Sequence, residues 1–193
     1  WLLLFEDGNR IDIGVETVEA MEKGINRNKL FLPLLDKTGC LPQLPPPTDE
    51  DFHVTPPTAR QFRGCCNTFF WSLCDVVKGI ARDELPFAMT TYHTLVHSML
   101  QKMLGWYIGV RTDYSVSCGK LNKYFKKYLP EQIYLQYCVT YPDSSYANFW
   151  NAIDASCALF YQTAQFVAEQ SGYVYPQEDE DGFRRYAEII QEV

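Results

Sequence analysis

The sequence is poor in features that define several common classes of protein. Its 193 residues contain no apolar run close to the roughly 20 residues that a membrane-spanning helix needs. Basic residues are also scarce, because 17 Lys and Arg stand against 24 Asp and Glu, which gives a net charge of −7. Neutralisation of phosphates dominates the affinity of proteins for nucleic acids, so an acidic chain is poorly suited to them. We therefore expect neither a membrane nor a nucleic acid as partner, and the charge suits a cationic small molecule better.

Several familiar site motifs are missing as well. No Gly-x-Gly-x-x-Gly occurs, and Gly119–Lys120 fails the phosphate-binding loop pattern on both sides. The nucleophile elbow fails because Ser115 takes the place of its first glycine. His93 and His97 have the spacing of a metal pair on one helix face, but no third ligand is obvious. We favour the interpretation that they are two polar residues on a half-exposed helix over the interpretation that they form a zinc site.

The seven cysteines are odd in number and show no Cys-x-x-Cys spacing. Cys65 and Cys66 are adjacent, and Cys157 stands among apolar residues. A secreted disulfide framework uses an even number of cysteines, whereas reduced and mostly buried thiols are typical of cytoplasmic proteins. We therefore predict free thiols and a cytoplasmic location.

Patterning divides the chain into three parts. Residues 1–35 show two apolar runs around the turn residues Glu6–Asn9, which predicts a hairpin, followed by a short helix and a loop. Residues 36–57 hold six prolines, which remove backbone donors and predict a stiff linker. Residues 58–193 follow the helical period, which predicts an all-helical bundle. The helices are expected at about 58–80, 85–109, 120–129 and 146–170, and from near residue 181.

Two kinds of side chain stand out as candidate site residues. Asp12 lies within the second strand of the hairpin, where it is either a solvent-facing position or a metal ligand or base. One carboxylate cannot by itself assemble a magnesium site, because magnesium takes several oxygen ligands. Lys78 and Arg82 are spaced i, i+4, and Lys120 begins a basic run that continues at Lys123 and Lys127 on one face of a predicted helix. Such clusters either bind a triphosphate as point charges or are solvated.

Several segments of the sequence follow one another in a recognisable order. They are residues 3–12 (LLFEDGNRID), 57–60 (PTAR), 65–71 (CCN to Trp71), 77–82 (VKGIAR), 103–109 (MLGWYIG), 119–124 (GK and KY) and 173–176 (YVYP). In this ordered set, which covers nearly all of the chain, the sequence resembles the aminoglycoside 6-adenylyltransferase (streptomycin adenylyltransferase) family.

The resemblance implies an α+β protein, in which a sheet similar to that of DNA polymerase β precedes a helical domain. Members transfer AMP from ATP to a hydroxyl of streptomycin-like drugs and release pyrophosphate, using magnesium held by three carboxylates. Asp12 matches the third carboxylate, with the implied roles of general base and metal ligand. Lys78, Arg82 and Lys120 match as well, and we assign them to the ATP phosphates. The residues that bind the small, hydroxylated and cationic acceptor stay unassigned.

The sequence also departs from the family pattern. The Gly-Ser…Asp-x-Asp segment that holds the other two carboxylates should precede Trp1, so residues 1–35 are interpreted as the end of the nucleotidyltransferase domain. We expect this piece alone to be inactive. Gly64, Thr68, Thr90 and Thr91 replace acids or a histidine of several relatives, which removes charge from the wall that would face a polycationic drug. A different small-molecule acceptor and a non-catalytic helical binding module are the alternative interpretations.

Overall fold

The computed structural model describes residues 1–25 and 29–192, in two units, Trp1–Asp51 and Phe52–Val193. Over these described residues the chain is mostly helical and has one small two-stranded sheet. This confirms the expected combination of a short hairpin with a helical domain. Residues 26–28 of the predicted helix and loop, and residue 193 of the predicted bundle, lie outside the described residues.

The first unit begins with the hairpin that the turn residues predict. Strands β1 (Leu2–Leu4) and β2 (Arg10–Asp12) pair antiparallel, with Leu2 opposite Asp12. Gly8 adopts a φ of +84°, which a glycine reaches without steric cost, and its N–H donates to the carbonyl of Phe5. Helix α1 (Val18–Gly24) follows, and the Thr17 hydroxyl caps it by accepting from the N–H of Ala20.

The second unit consists of helices joined by short turns. They are α2 (Ala59–Ala81), α3 (Leu85–Thr91), a π turn (Tyr92–Val96), α4 (His97–Arg111), a 3-10 turn (Lys120–Asn122), α5 (Phe125–Tyr128), α6 (Glu131–Val139), α7 (Tyr146–Ser171) and α8 (Gln177–Gln191). Thr58 and Gln61 form a reciprocal capping box that fixes the start of α2. Phe69 of α2 stacks on Phe160 of α7, with ring centroids 3.9 Å apart in the core.

The structure corrects three of the helix predictions. The basic run does not form one helix, because Leu121 and Asn122 adopt left-handed backbone conformations, so its lysines do not share one helix face. Helix α6 was not predicted, because Pro130 suggested an end, whereas it stands immediately before the first residue of a new helix. Helix α8 begins at Gln177 rather than near residue 181, so its first turn contains the acids Glu178, Asp179 and Glu180.

The thiols agree with the prediction from cysteine usage. All seven cysteines are free, and four of them are buried: Cys65, Cys66, Cys118 and Cys157. Burial raises the pKa of Cys65 to about 12 and that of Cys118 to about 11, so these thiols stay protonated. Among the described residues, no helix is both long and apolar enough to span a bilayer.

Candidate functional site

Asp12, the predicted base and metal ligand, lies at the end of strand β2. Its side chain is 59% exposed and forms an ion pair with Arg10, with a guanidinium nitrogen 3.2 Å from Oδ2. Arg10 and Asp12 are two residues apart in a strand, so both lie on the face opposite Ile11. Within the described ranges, no three His, Cys, Asp or Glu side chains converge to hold a metal. Asp12 and its described neighbours therefore do not by themselves fit magnesium, which takes about six oxygen ligands.

Helices α2 and α8 of the second unit enclose a cavity of about 520 Å³, which we call the acidic cavity. Its charged lining consists of three carboxylates and one amine, from Asp75, Glu178, Asp179 and Lys78. Its other lining residues are Asn67, Phe70, Trp71, Cys74, Gly182, Phe183 and Tyr186. Trp71 is 73% exposed, which is unusual for a ring of this size. Carboxylates beside aromatic faces are groups that bind organic cations.

Hydrogen bonds fix the charged groups of the acidic cavity. Lys78 Nζ lies 2.5 Å from Asp75 Oδ1, and this bond raises the pKa of the ammonium group. Arg63 contacts Glu178 at 2.7 Å and Asp179 at 3.7 Å. Asp179 Oδ2 is buried and has no hydrogen-bond partner among the described residues. An unpaired buried carboxylate oxygen is costly unless a ligand donates to it.

The three predicted phosphate-binding residues do not meet in this cavity. Lys78 lines it, and Arg82 ends α2 one turn later, where its charge partly opposes the rise that Asp75 causes in the pKa of Lys78. Lys120 belongs to the 3-10 turn after α4, and its neighbours Gly119 and Asn122 line a different cavity. The structure therefore brings Lys78 and Arg82 together but does not place Lys120 in the acidic cavity.

That second cavity has a volume of about 430 Å³ and is called the polar cavity below. Its lining comes from residues 52–55, the middle of α4 and residues 117–122. Lys102 is the lysine of the lining, and its ammonium group lies 5.2 Å from the centre of the Trp106 ring. None of the described residues that line this cavity is Asp or Glu.

The histidine pair of the sequence lies at the π turn and is not a pair of half-exposed residues. His97 is only 2% exposed, and its Nε2 lies 2.7 Å from the hydroxyl of Thr140. Burial lowers the pKa of His97 to about 4, and nearby His93 contributes to the shift. Tyr92 completes a buried network, with its hydroxyl 2.7 Å from the Thr140 carbonyl and 2.6 Å from Ser156. His97 is therefore a hydrogen-bonded core residue.

Sequence reasoning missed Trp71 and the three carboxylates of the acidic cavity. A signal for the α2 part was present, since Asn67, Trp71, Asp75 and Lys78 repeat at intervals of three or four residues beside the apolar face. No such signal existed for α8, because Glu178 stands 115 residues from its partner Arg63.

Comparison with known proteins gives consistent relatives. A Campylobacter jejuni protein named aminoglycoside 6-adenylyltransferase is 36% identical over 180 residues, which are 93% of this chain and 62% of that protein. A Bacillus subtilis (strain 168) protein of the same name is 35% identical over 191 residues, which are 98% of this chain and 67% of that protein. The chain thus spans about two thirds of the length of these relatives.

The structural comparison agrees. The crystal structure of an aminoglycoside 6-adenyltransferase from Bacillus subtilis matches with a TM-score of 0.68 and 32% sequence identity, over 98% of this chain and 70% of the other. The sequence profile of the family described as streptomycin adenylyltransferase matches residues 1–190. Because this match spans nearly the whole chain and the relatives exceed 30% identity, the chain belongs to the streptomycin adenylyltransferase family.

Proposed function

We propose that the protein transfers AMP from ATP to a hydroxyl of an aminoglycoside and releases pyrophosphate. The observation that carries the proposal is the acidic cavity, which a member of this family presents beside Lys78 and Arg82. The relatives from Campylobacter jejuni and Bacillus subtilis bear names that specify this class of acceptor. The cytoplasm, where ATP is abundant and thiols stay reduced, is the location that we propose.

The acceptor is proposed to bind in the acidic cavity. Aminoglycosides carry several protonated nitrogens and many hydroxyls, which are hydrated in solution. A binding site must replace that water with groups such as carboxylates and aromatic faces. Asp179 is the best-placed carboxylate, because its Oδ2 is buried and lacks a described partner. Trp71 offers an exposed ring face to a cationic group, which is an attraction of about 1 kcal/mol.

Lys78 and Arg82, with Lys120, are proposed to contact the phosphates of ATP as point charges. Lys78 lines the proposed acceptor cavity and Arg82 follows one turn later at the end of α2, so two cations lie beside the proposed acceptor. A phosphate chain beside a cationic acceptor is the arrangement that group transfer requires, since proximity lowers the barrier.

Asp12 is proposed as the general base that removes the proton of the attacking hydroxyl. Arg10 lies 3.2 Å from its Oδ2 on the same face of the strand, and a carboxylate is one of the side-chain groups that act as general bases. The hairpin that carries it is proposed to be part of a nucleotidyltransferase sheet similar to that of DNA polymerase β. Magnesium, which the resemblance implies, would need oxygen ligands besides Asp12, so we assign no step to it.

The test is pyrophosphate release from ATP by the protein that contains this sequence, with a panel of aminoglycosides that includes streptomycin. Replacing Asp179 by Asn removes one charge at constant size, so we expect KM for the acceptor to rise about tenfold, or about 1.4 kcal/mol, with KM for ATP unchanged. The matched control is Glu169→Gln, a similar neutralisation at an exposed position of α7. Equal acceptor KM values in the two variants would show that the acceptor does not bind in the acidic cavity. Absence of pyrophosphate release with every aminoglycoside of the panel would contradict the proposed activity.

A different small-molecule acceptor is the second candidate, and the four substituted positions favour it. Gly64 and Thr90 are exposed and uncharged, and Thr91 is only 9% exposed. The resemblance implies acids or a histidine at these positions in several relatives, so the charge of this part of α2 and α3 differs from theirs, although none of the four positions lines the acidic cavity. Turnover of ATP with a hydroxylated monoamine, but with no aminoglycoside, would select this alternative.

A further inference from the structure

We propose that the polar cavity is a binding site for a phosphate chain, with Lys102 as its cationic residue. The inference rests on the proposed function, because ATP and pyrophosphate are the phosphate compounds of that reaction. It adds a site that is separate from Lys78 and Arg82. Both ATP and free pyrophosphate present the same chemistry, a chain of phosphates, and the experiment below distinguishes them.

The charge of the lining is the first observation. The chain has more acids than bases, yet the described lining of the polar cavity contains Lys102 and no carboxylate. The acidic cavity of the same unit contains three carboxylates. The described lining of the polar cavity therefore carries a net positive charge, which attracts a phosphate chain.

The state of Lys102 is the second observation. Lys78 lies 2.5 Å from Asp75, and Arg63 lies 2.7 Å from Glu178, so these cations are already paired. Within the described chain Lys102 has no ion-pair partner, and its contact is with the face of Trp106. That ring attracts the ammonium group at the wall of the cavity and does not neutralise its charge. The ammonium group is therefore available to an anion.

Hydrogen bonds around Lys102 fix the polar wall of the cavity. Ser117 Oγ accepts from the N–H of Gly119 at 3.1 Å, which leaves its own hydroxyl proton for another acceptor. The Asn122 amide donates to Gln101 Oε1 at 3.3 Å, and Gln101 donates in turn to Tyr137 at 2.9 Å. A wall whose amides hold one another in place loses little entropy when a ligand binds.

The turn that forms one side of the cavity contains three residues with positive φ angles. Gly119 has a φ of +74°, and a Cβ there would lie 2.6 Å from the ring of Tyr124. Leu121 and Asn122 follow with φ values of 55° and 61°, although neither is a glycine. Non-glycine residues in this region are strained and concentrate at ligand sites. Glycine and asparagine adopt this region readily, so Leu121 is the residue held in a conformation that its side chain does not favour, in the turn that carries Ser117 and Asn122 of the wall.

The test measures binding of inorganic tripolyphosphate and of pyrophosphate to the protein by calorimetry. Replacing Lys102 by Met removes the charge but keeps an apolar stem against Trp106, so we expect about tenfold weaker tripolyphosphate binding. Lys126→Met, at an exposed lysine of α5 outside the cavity, is the control and should bind within about twofold of the wild type. Lys102→Arg should retain binding. Equal losses in the Lys102 and Lys126 variants would overturn the proposal.

A second variant introduces a negative charge. Asp in place of Ser117 can still accept from the N–H of Gly119, so the turn is preserved while a carboxylate enters the cavity. We expect this variant to bind tripolyphosphate at least as weakly as the Lys102→Met variant, and unchanged binding would overturn the site. Loss through Lys78→Met, with none through Lys102→Met, would also overturn it.

The sources and the two proposals are separable. If ATP displaces tripolyphosphate at concentrations near its KM for turnover, the nucleotide is the ligand of this site. If pyrophosphate displaces tripolyphosphate at lower concentrations than ATP does, the product is the ligand. If tripolyphosphate binds through Lys102 but the protein adenylylates no acceptor, the phosphate site is supported and the proposed activity is contradicted. If Lys102→Met changes neither turnover nor tripolyphosphate binding, the proposed activity is supported and the phosphate site is contradicted.

Discussion

At the residue scale, His97 is the group whose protonation the fold opposes most clearly. The imidazole is buried beside Thr140 and close to His93, and both burial and the neighbouring histidine favour the neutral ring. Its pKa in the folded protein is about 4, compared with an ordinary value of 6.5. The unfolded chain therefore binds more protons at His97 than the folded chain between these two pH values. Stability falls as the pH falls through this window.

We expect this histidine to lower the free energy of unfolding by roughly 2 to 3 kcal/mol between pH 6.5 and pH 4. Replacing His97 by Gln keeps a polar group at the end of the side chain and removes the titration. The variant should therefore lose that part of the pH dependence, although it is less stable than the wild type at pH 7. Urea unfolding of the variant and the wild type at several pH values measures the difference. Parallel curves for wild type and the His97 variant would contradict the assignment.

At the element scale, two glycines of α2 provide a matched comparison. A Cβ at Gly79 would lie 2.9 Å from the ring of Phe87 and 3.1 Å from the Cβ of Ala88, where α3 packs against α2. A Cβ at Gly64 would meet nothing within 4 Å. The same substitution therefore has opposite expected effects at two positions of one helix.

We expect Gly64→Ala to stabilise the protein by about 0.5–1 kcal/mol, because alanine is the better helix former. Gly79→Ala should destabilise it by about 1 kcal/mol or more, because the strain of overpacking exceeds the same gain in helix propensity. Thermal unfolding of the two variants beside the wild type measures both effects. Stabilisation by both substitutions would show that α3 moves away from α2 at little cost.

The sequence predicted helices correctly where the apolar period extends over many residues. It predicted them wrongly where single residues with unusual backbone conformations interrupt the helix. Phe62 to Ile80 repeat at the helical period, so α2 was predicted close to its observed ends. The lysine run after Gly119 has a helical pattern but is interrupted by the left-handed Leu121 and Asn122, which composition alone would not indicate. Asp179 was missed for a different reason, because its position in a site depends on how α8 packs against α2.

At the scale of the whole molecule, the apolar core is drawn from residues after Asp51. The clustered buried side chains extend from Phe62 to Phe183, and the partly buried residues packed against them begin at Val54. In the described part of the first unit, Ile25 is the one apolar side chain that is buried. Since burial of apolar surface is the main source of stability, the second unit carries most of it.

We therefore expect deletion of residues 1–51 to leave the helical circular dichroism and to change Tm by only a few degrees. The control deletion removes α8, with Phe183 from the core and the buried Glu180 that Tyr175 and Arg184 contact. It should lower Tm by about 10 °C or more, because burial of a Phe side chain contributes about 3 kcal/mol. Loss of cooperative unfolding in the first deletion alone would mean that stability depends on the first unit.

The π turn at Tyr92–Val96 has a consequence for how relatives of this protein differ in length. A π turn accommodates one more residue than the α-helical turn it replaces, so loss of one residue there would leave a regular helix. Anywhere later in α4, loss of one residue would rotate all following side chains by about 100°. A relative that is one residue shorter between α3 and α4 should therefore have its gap within residues 92–96, which keeps Gln101 and Lys102 at the polar cavity.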